Sequence, residues 1–251
     1  MSELVGEVWR RALAVQPAPP PSVVGLTALL ALLAVLSPRA WRVTRLLVTI
    51  THEGGHALAA VVSGRRLGGI RLRSDTSGVT VSSGRPRGPG MVATLAAGYL
   101  APAVVGLAAV GLLIAGHSVG LLWLVAGLLA AMLLQIRNAY GFVVLVLAGA
   151  ALVLVSLRLD AVVQSALAYL LTWLLLVAAP KPVLELIALH RRGGGQGSDA
   201  DQLARLTRVP ALLWAAGFLL LDLAGLALGS VLLLPALGRL AGQLFAALPA
   251  A

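Results

Sequence analysis

The sequence predicts an all-α membrane protein of about six or seven transmembrane helices, with one small β-hairpin following the second apolar run. Three observations carry this expectation. Of the 251 residues, 59% are hydrophobic and 11% charged, where a soluble domain carries about 25% charge. The mean hydropathy is +0.97. Apolar runs recur along the chain, separated by short basic or Gly/Pro-rich junctions, and a run of about 20 such residues spans a bilayer. No polar stretch is long enough for a separate soluble domain. The chain therefore divides into a cytoplasmic amphipathic lead with a Pro-rich spacer, 1–21, and one polytopic membrane domain, 22–251, with a linker at 190–198.

The lead, Met1 to Gln16, sets Glu3 and Glu7 beside Arg10 and Arg11 and lacks the apolar core of a signal peptide. The prolines from Pro17 to Pro21 make a stiff spacer. The first apolar run is Ser22 to Ser37, closed by Pro38 and the basic junction Arg39, Arg42 and Arg45. The second runs from Leu46 to Val62. From Gly68 to Pro89 the period changes to two: Ile70-Arg71-Leu72-Arg73 and Val79-Thr80-Val81 alternate, and Asp75-Thr76-Ser77-Gly78 has turn chemistry, which predicts a β-hairpin. The third run, Met91 to Gly116, is expected to break at Gly98 to Pro102. Its small residues suit close helix packing.

The fourth run, Val119 to Ile136, is interrupted at Arg137-Asn138-Ala139-Tyr140-Gly141. The fifth is Phe142 to Leu157 and the sixth Ala161 to Ala179, stopped by Pro180-Lys181-Pro182. Val183 to His190 continues as an amphipathic piece into a flexible glycine-rich linker. Ser198 or Asp199 caps a helix expected to run on into the seventh apolar run, Val209 to Leu234. Pro235 to Ala251 reads as an interfacial tail.

The formal net charge of +10 does not point to nucleic acid, because the basic residues lie between apolar runs and form no basic domain. They fit the loops of a membrane protein. With the N-terminus in the cytoplasm and each run crossing once, Arg39, Arg42, Arg45, Arg158 and Arg239 are the five of 19 Lys and Arg that fall outside. The expected location is the cell membrane, multi-pass, N-terminus cytoplasmic. There are no cysteines, so any metal must be held by His and carboxylates.

The second run carries His52-Glu53-Gly54-Gly55-His56, an H-E-x-x-H pattern. Helical spacing of four puts both imidazoles on one face, where they can share a metal ion such as Zn²⁺. Glu53 beside them can take a proton from a metal-activated water. The chain has only four His and nine Asp and Glu, and ionisable groups inside an apolar run are costly and usually functional. The alternative for the same residues is a polar helix-packing cluster.

This pattern, the hairpin over Gly69 to Ser83, and Ala97-Gly98-Tyr99-Leu100-Ala101-Pro102 in the next run together resemble the M50 family of intramembrane zinc metallopeptidases. This is the site-2 protease class, and the resemblance is to its M50B-like branch. It implies a third ligand, an Asp, from an Asn-Pro-x-Asp-Gly segment. Here the nearest segment is Asn138-Ala139-Tyr140-Gly141, with Tyr140 in the acid's place, and tyrosine is a poor zinc ligand at neutral pH. The remaining acids are candidates. Asp199 opens a helix in a way similar to the family's Asp-Gly-x-x-Leu, and Asp222 and Asp201 stay open beside it. Asp75 suits a turn, Asp160 falls on the far side, and Glu185, His117 and His190 read as surface or loop groups. The resemblance implies hydrolysis of peptide bonds in membrane-protein substrates, with Glu53 as catalytic base and His52, His56 and an Asp, Asp199 foremost among the candidates, as the metal set. Asn138 is a candidate for hydrogen bonding to substrate backbone, and the hairpin for pairing with an extended peptide. The missing acid also admits a catalytically inactive membrane scaffold or chaperone.

Overall fold

The structure, a computed structural model, describes residues 2–234 and is built mostly of helices. Proline opens four of them: α2 (Pro21–Leu36), α3 (Pro38–Val62), α4 (Pro89–Ile114) and α8 (Pro180–Arg191). At the first helical position the missing N–H is no loss. The others are α1 (Ser2–Leu13), α5 (Ser118–Leu133), α6 (Ala139–Arg158), α7 (Ala161–Ala178), α9 (Asp199–Thr207) and α10 (Ala211–Leu233). Between α3 and α4 lies an antiparallel pair, β1 (Arg66–Leu72) and β2 (Gly78–Ser83).

Four segments are long and apolar enough to cross a membrane: Pro89–Ile114, Ala139–Arg158, Ala161–Arg191 and Ala211–Leu233. The pair α2–α3, bent by 103°, makes five if it counts as one broken span. This is fewer than the six or seven expected. The expectation counted α2 and α3 as separate full spans, and it counted α5, which at 16 residues is about 24 Å long.

Helix α4 stands at the centre, packed against α3, α7 and α10. It runs unbroken through Pro102, so the expected break at Gly98 to Pro102 is absent: a buried apolar helix tolerates a proline that its neighbours compensate. By contrast, α9 does not run on into α10. Arg208 turns left-handed at φ 62° and Pro210 restarts the chain.

The ends of α4 define two ends of the bundle. At one lie the hairpin, the segment 135–138 and α8. The elbow between α2 and α3 is tied to this end: Trp41 Nε1 donates to Glu185 Oε1 at 3.0 Å, Arg45 pairs with Glu185, and Lys181 donates to Val35 O while lying over the Trp41 ring. At the other end lies the turn after α4. There Gln16 N–H donates to Gly116 O at 2.8 Å, and Gln16 Oε1 accepts from Val119 N–H at 3.1 Å. Ser118 and Ser165 hydroxyls are 2.8 Å apart. Gln16 is therefore at the opposite end of the bundle from the hairpin. This corrects the expectation that the lead shares a side with Arg65 to Arg87, which counted α2 and α3 as two crossings where the bent pair makes one broken span at most. The expected tail at 235–251 lies outside the described residues.

The hairpin follows the expected turn chemistry. Asp75 Oδ1 accepts from Ser77 N–H at 2.9 Å and from its hydroxyl at 2.6 Å. Its other edge is also held. Ile70 N–H donates to Gln135 O at 2.8 Å and Ile70 O accepts from Arg137 N–H at 2.9 Å, a parallel bridge to the segment leading into α6. Among the described residues, the outer edge of β2 is thus the open edge of the sheet.

Candidate metal centre

Helix α3 presents His52 and His56 one turn apart, and α4 crosses directly behind them. The crossing is close because small residues face each other. A Cβ on Gly55 would lie 2.5 Å from Ala101 Cβ, and one on Gly98 would lie 2.5 Å from both Cε1 and Nε2 of His56 and 2.7 Å from His52 Cε1. Gly54, by contrast, faces open space.

Asp199 arrives from the other side. The linker ends in Gly197, Ser198 Oγ accepts from Asp201 N–H at 3.2 Å as the N-cap of α9, and Asp199 follows as the first helical residue. Its Oδ2 lies 3.2 Å from Nε2 of both His52 and His56. The two Nε2 atoms are 3.0 Å apart. These three atoms form the group of possible metal ligands among the described residues. Burial works against charge on Asp199, but hydrogen bonds from His52 and His56 outweigh it and hold the carboxyl below the usual carboxylate range.

Two observations show that the donor set fits a divalent ion. Ligands about 2.0–2.1 Å from a tetrahedral zinc are about 3.3 Å from one another, close to the spacings seen. His56 Nδ1 lies 2.7 Å from Thr94 O; a carbonyl can only accept, so Nδ1 carries a proton and Nε2 is the nitrogen that gives up its own to a metal. The arrangement is the usual outer-shell support of a metal-binding imidazole.

Glu53 is 4% exposed and held by the hairpin. Thr80 Oγ1 donates to Glu53 Oε2 at 2.6 Å and lies 3.1 Å from Glu53 O. A Cβ on Gly78 would lie 2.5 Å from Glu53 Cγ. Glu53, His52, His56 and Asp199 line one cleft of about 470 Å³, with residues 78–82 of β2 along its wall and Tyr99 at its side. The Tyr99 ring meets His52 edge-on at 4.9 Å between centroids and stacks on Phe218 at 5.4 Å.

Asn138 is placed elsewhere. Its Nδ2 donates to Leu72 O at 2.6 Å and its Oδ1 accepts from Leu72 N–H at 3.2 Å. Both amide atoms thus hold β1, so the side chain is a strut of the sheet, and it does not line the cleft. The other acids are also accounted for. Asp201 accepts from Gly197 N–H and pairs with Arg205. Asp222 is fully buried in α10, with no partner for either oxygen among the described residues. Asp160 caps α7. His190 Nδ1 lies 3.0 Å from Leu186 O, and His117 is at the opposite end of the bundle. Sequence reasoning missed Thr80, Gly78 and Thr94, whose roles depend on contacts across the fold.

The sequence model of the family described as Peptidase M50B-like matches residues 25–229. That is most of the chain, and the chain belongs to this family. A search of curated proteins gave no match, and neither did a search of solved structures.

Proposed function

We propose that this M50B-like family member is an intramembrane zinc metalloendopeptidase. Its substrates are membrane-spanning or membrane-proximal segments of other proteins. The observation that carries the reading is the convergence of His52, His56 and Asp199 on one point beside Glu53, in a cleft bordered by an open strand edge.

In this reading Nε2 of His52, Nε2 of His56 and a carboxylate oxygen of Asp199 hold the ion. Bound zinc would act as a Lewis acid, lowering the pKa of water towards about 7 and polarising the scissile carbonyl. Glu53 receives a proton as the water oxygen adds to the carbonyl carbon, and returns it to the amide nitrogen as the C–N bond breaks. Thr94 O fixes the tautomer of His56, and Gly98 leaves room for both rings. The outer edge of β2 holds the unwound peptide by strand addition.

The distribution of charge supports an orientation. Of the 19 Lys and Arg, Arg10, Arg11 and Arg158 lie at the end away from the hairpin and Arg239 is outside the described residues, whereas eleven, those from Arg65 to Arg87, Arg137 and those from Arg191 to Arg208, lie at the hairpin end. The positive-inside tendency then puts the cleft at the cytoplasmic side and Gln16 at the opposite one.

The test is reconstitution of the purified protein with a panel of single-span membrane proteins, with products read by mass spectrometry. Wild type is expected to bind one zinc and cleave. Glu53→Gln should keep the zinc and lose about 10²- to 10⁴-fold in rate, the usual worth of a general base. Full cleavage by Glu53→Gln would exclude this mechanism. Zinc without cleavage in wild type would favour the inactive scaffold.

A further inference from the structure

We propose that Thr80 is a positioning residue that couples substrate docking to the aiming of the base: its hydroxyl fixes the Glu53 carboxylate while its backbone takes the substrate strand. The inference rests on the peptidase reading above.

The hydroxyl side is given by distances. Thr80 Oγ1 is 2.6 Å from Glu53 Oε2, a short bond of the kind a hydroxyl makes to a carboxylate. The same oxygen lies 3.1 Å from the Glu53 main-chain carbonyl. One proton serves both contacts, so the hydroxyl bridges the side chain and backbone of the base. Gly78 is two residues earlier in β2, on the same face. A Cβ there would lie 2.6 Å from Glu53 Oε1. The carboxylate therefore sits between a fixed donor and bare backbone, and no larger residue fits at 78 without moving it.

The backbone side follows from the pairing of the sheet. In an antiparallel ladder each residue turns its N–H and C=O to one edge, and the residue opposite it turns them to the other edge or to the shared one as a pair. Ile70 bonds both groups to the 135–137 segment, and Leu72 bonds both to Asn138. Their cross-strand partners are Thr80 and Gly78. Those two residues must then turn their N–H and C=O away from β1, to the open edge. That edge lines the cleft. A peptide strand adding there bonds to Thr80, about 4.8 Å away. The residue that receives the substrate backbone is thus the one that holds the base. A register slip of two residues would carry the peptide about 6–7 Å along the edge, past the carboxylate that Thr80 holds.

Two substitutions separate this role from a structural one. Thr80→Val keeps the β-branched shape and both backbone groups but loses the hydroxyl. Thr80→Ser restores the hydroxyl. With a substrate that wild type cleaves, Thr80→Val is expected to lower kcat by about 10- to 100-fold, part of the worth of a general base. KM should stay within about twofold, because backbone pairing is retained. Zinc content and the cleavage position should not change, and Thr80→Ser should recover most of the rate. A thermal-unfolding cycle gives a readout without turnover: Thr80→Val should lower Tm in wild type and add nothing in a Glu53→Ala background. Unchanged kcat in Thr80→Val, no rescue by Thr80→Ser, or equal Tm losses in both backgrounds would each overturn the proposal. A wild type that hydrolyses nothing fails the peptidase reading itself, and this inference with it. An active wild type with an indifferent Thr80→Val overturns this inference alone.

Discussion

Two aspartates of this protein are withdrawn from solvent, and the fold treats them in opposite ways. Asp199 opens a short helix after a glycine-rich linker. Its Oδ2 lies 3.2 Å from each of two imidazole nitrogens. Asp222 sits in the middle of α10 with no exposure, and neither of its oxygens has a partner among the described residues. From the sequence both were candidates for one role: Asp222 because an acid in an apolar run asks for a function or a partner, and Asp199 because it opens a helix beside a glycine-rich linker in the way of the family's Asp-Gly-x-x-Leu. The difference lies in what converges on them. A metal site needs several donors aimed at one point, and burial alone supplies none.

The sharpest way to break this contrast is to remove each carboxylate in turn. Asp199→Ala takes away one of the three proposed ligands, and its zinc affinity should fall by at least about 100-fold, beyond the loss typical of outer-shell partners. Asp222→Ala should bind zinc as wild type does. Metal content after dialysis against a weak chelator measures both. Equal zinc loss in the two variants would mean that Asp222 reaches the ion in some other arrangement and that His52, His56 and Asp199 are not the whole site.

A second pair of positions refines the contrast within the motif's own surroundings. A Cβ on Gly98 meets His56 at 2.5 Å, whereas one on Gly54 meets nothing within 4 Å. Gly98→Ala must therefore push one or both rings out of line, and a shift of about 1 Å costs up to about 100-fold in rate. Gly54→Ala, inside the motif itself, should leave the rate within about threefold, as ordinary surface changes on a helix do. Parallel assays of the two variants decide whether the crossing of α3 and α4, rather than the motif alone, shapes the site.

What could be read from the sequence was what is local. His52, Glu53 and His56 declare themselves by helical spacing, the hairpin by its change to period two, and Asp199 by its place after a glycine linker at a helix start. What was hidden depends on pairs far apart in the chain. Thr80 meets Glu53 across 27 residues, Asn138 meets Leu72 across 66, and Trp41 meets Glu185 across 144. No periodicity marks such contacts. The reversed placing of the N-terminal lead is of the same kind. Counting each apolar run as one crossing gave α2 and α3 two crossings, while the 103° bend between them leaves the pair one broken span at most. Asn138 was expected near substrate for a similar reason: its position between two apolar runs was legible, but the backbone it holds was not.

The smallest effect expected is that of Asp222 on stability, and it completes the contrast. A polar group buried without a hydrogen-bond partner costs about 1–3 kcal/mol in proteins. Removing that group recovers the cost, less the packing lost with the deleted atoms. Alanine is smaller than aspartate by only a few atoms, and a cavity of that size costs about 1 kcal/mol. Asp222→Ala should therefore unfold at the same temperature as wild type or a few degrees higher. Asp199→Ala should gain nothing of the kind, since its carboxylate is satisfied and its removal leaves two imidazole nitrogens facing each other at 3.0 Å. Thermal unfolding of the two variants in the same detergent measures the difference. A large fall in Tm for Asp222→Ala would show that this carboxyl makes a contact in the membrane-embedded protein that stabilises α10. The two acids would then differ in which partner they meet rather than in whether they have one.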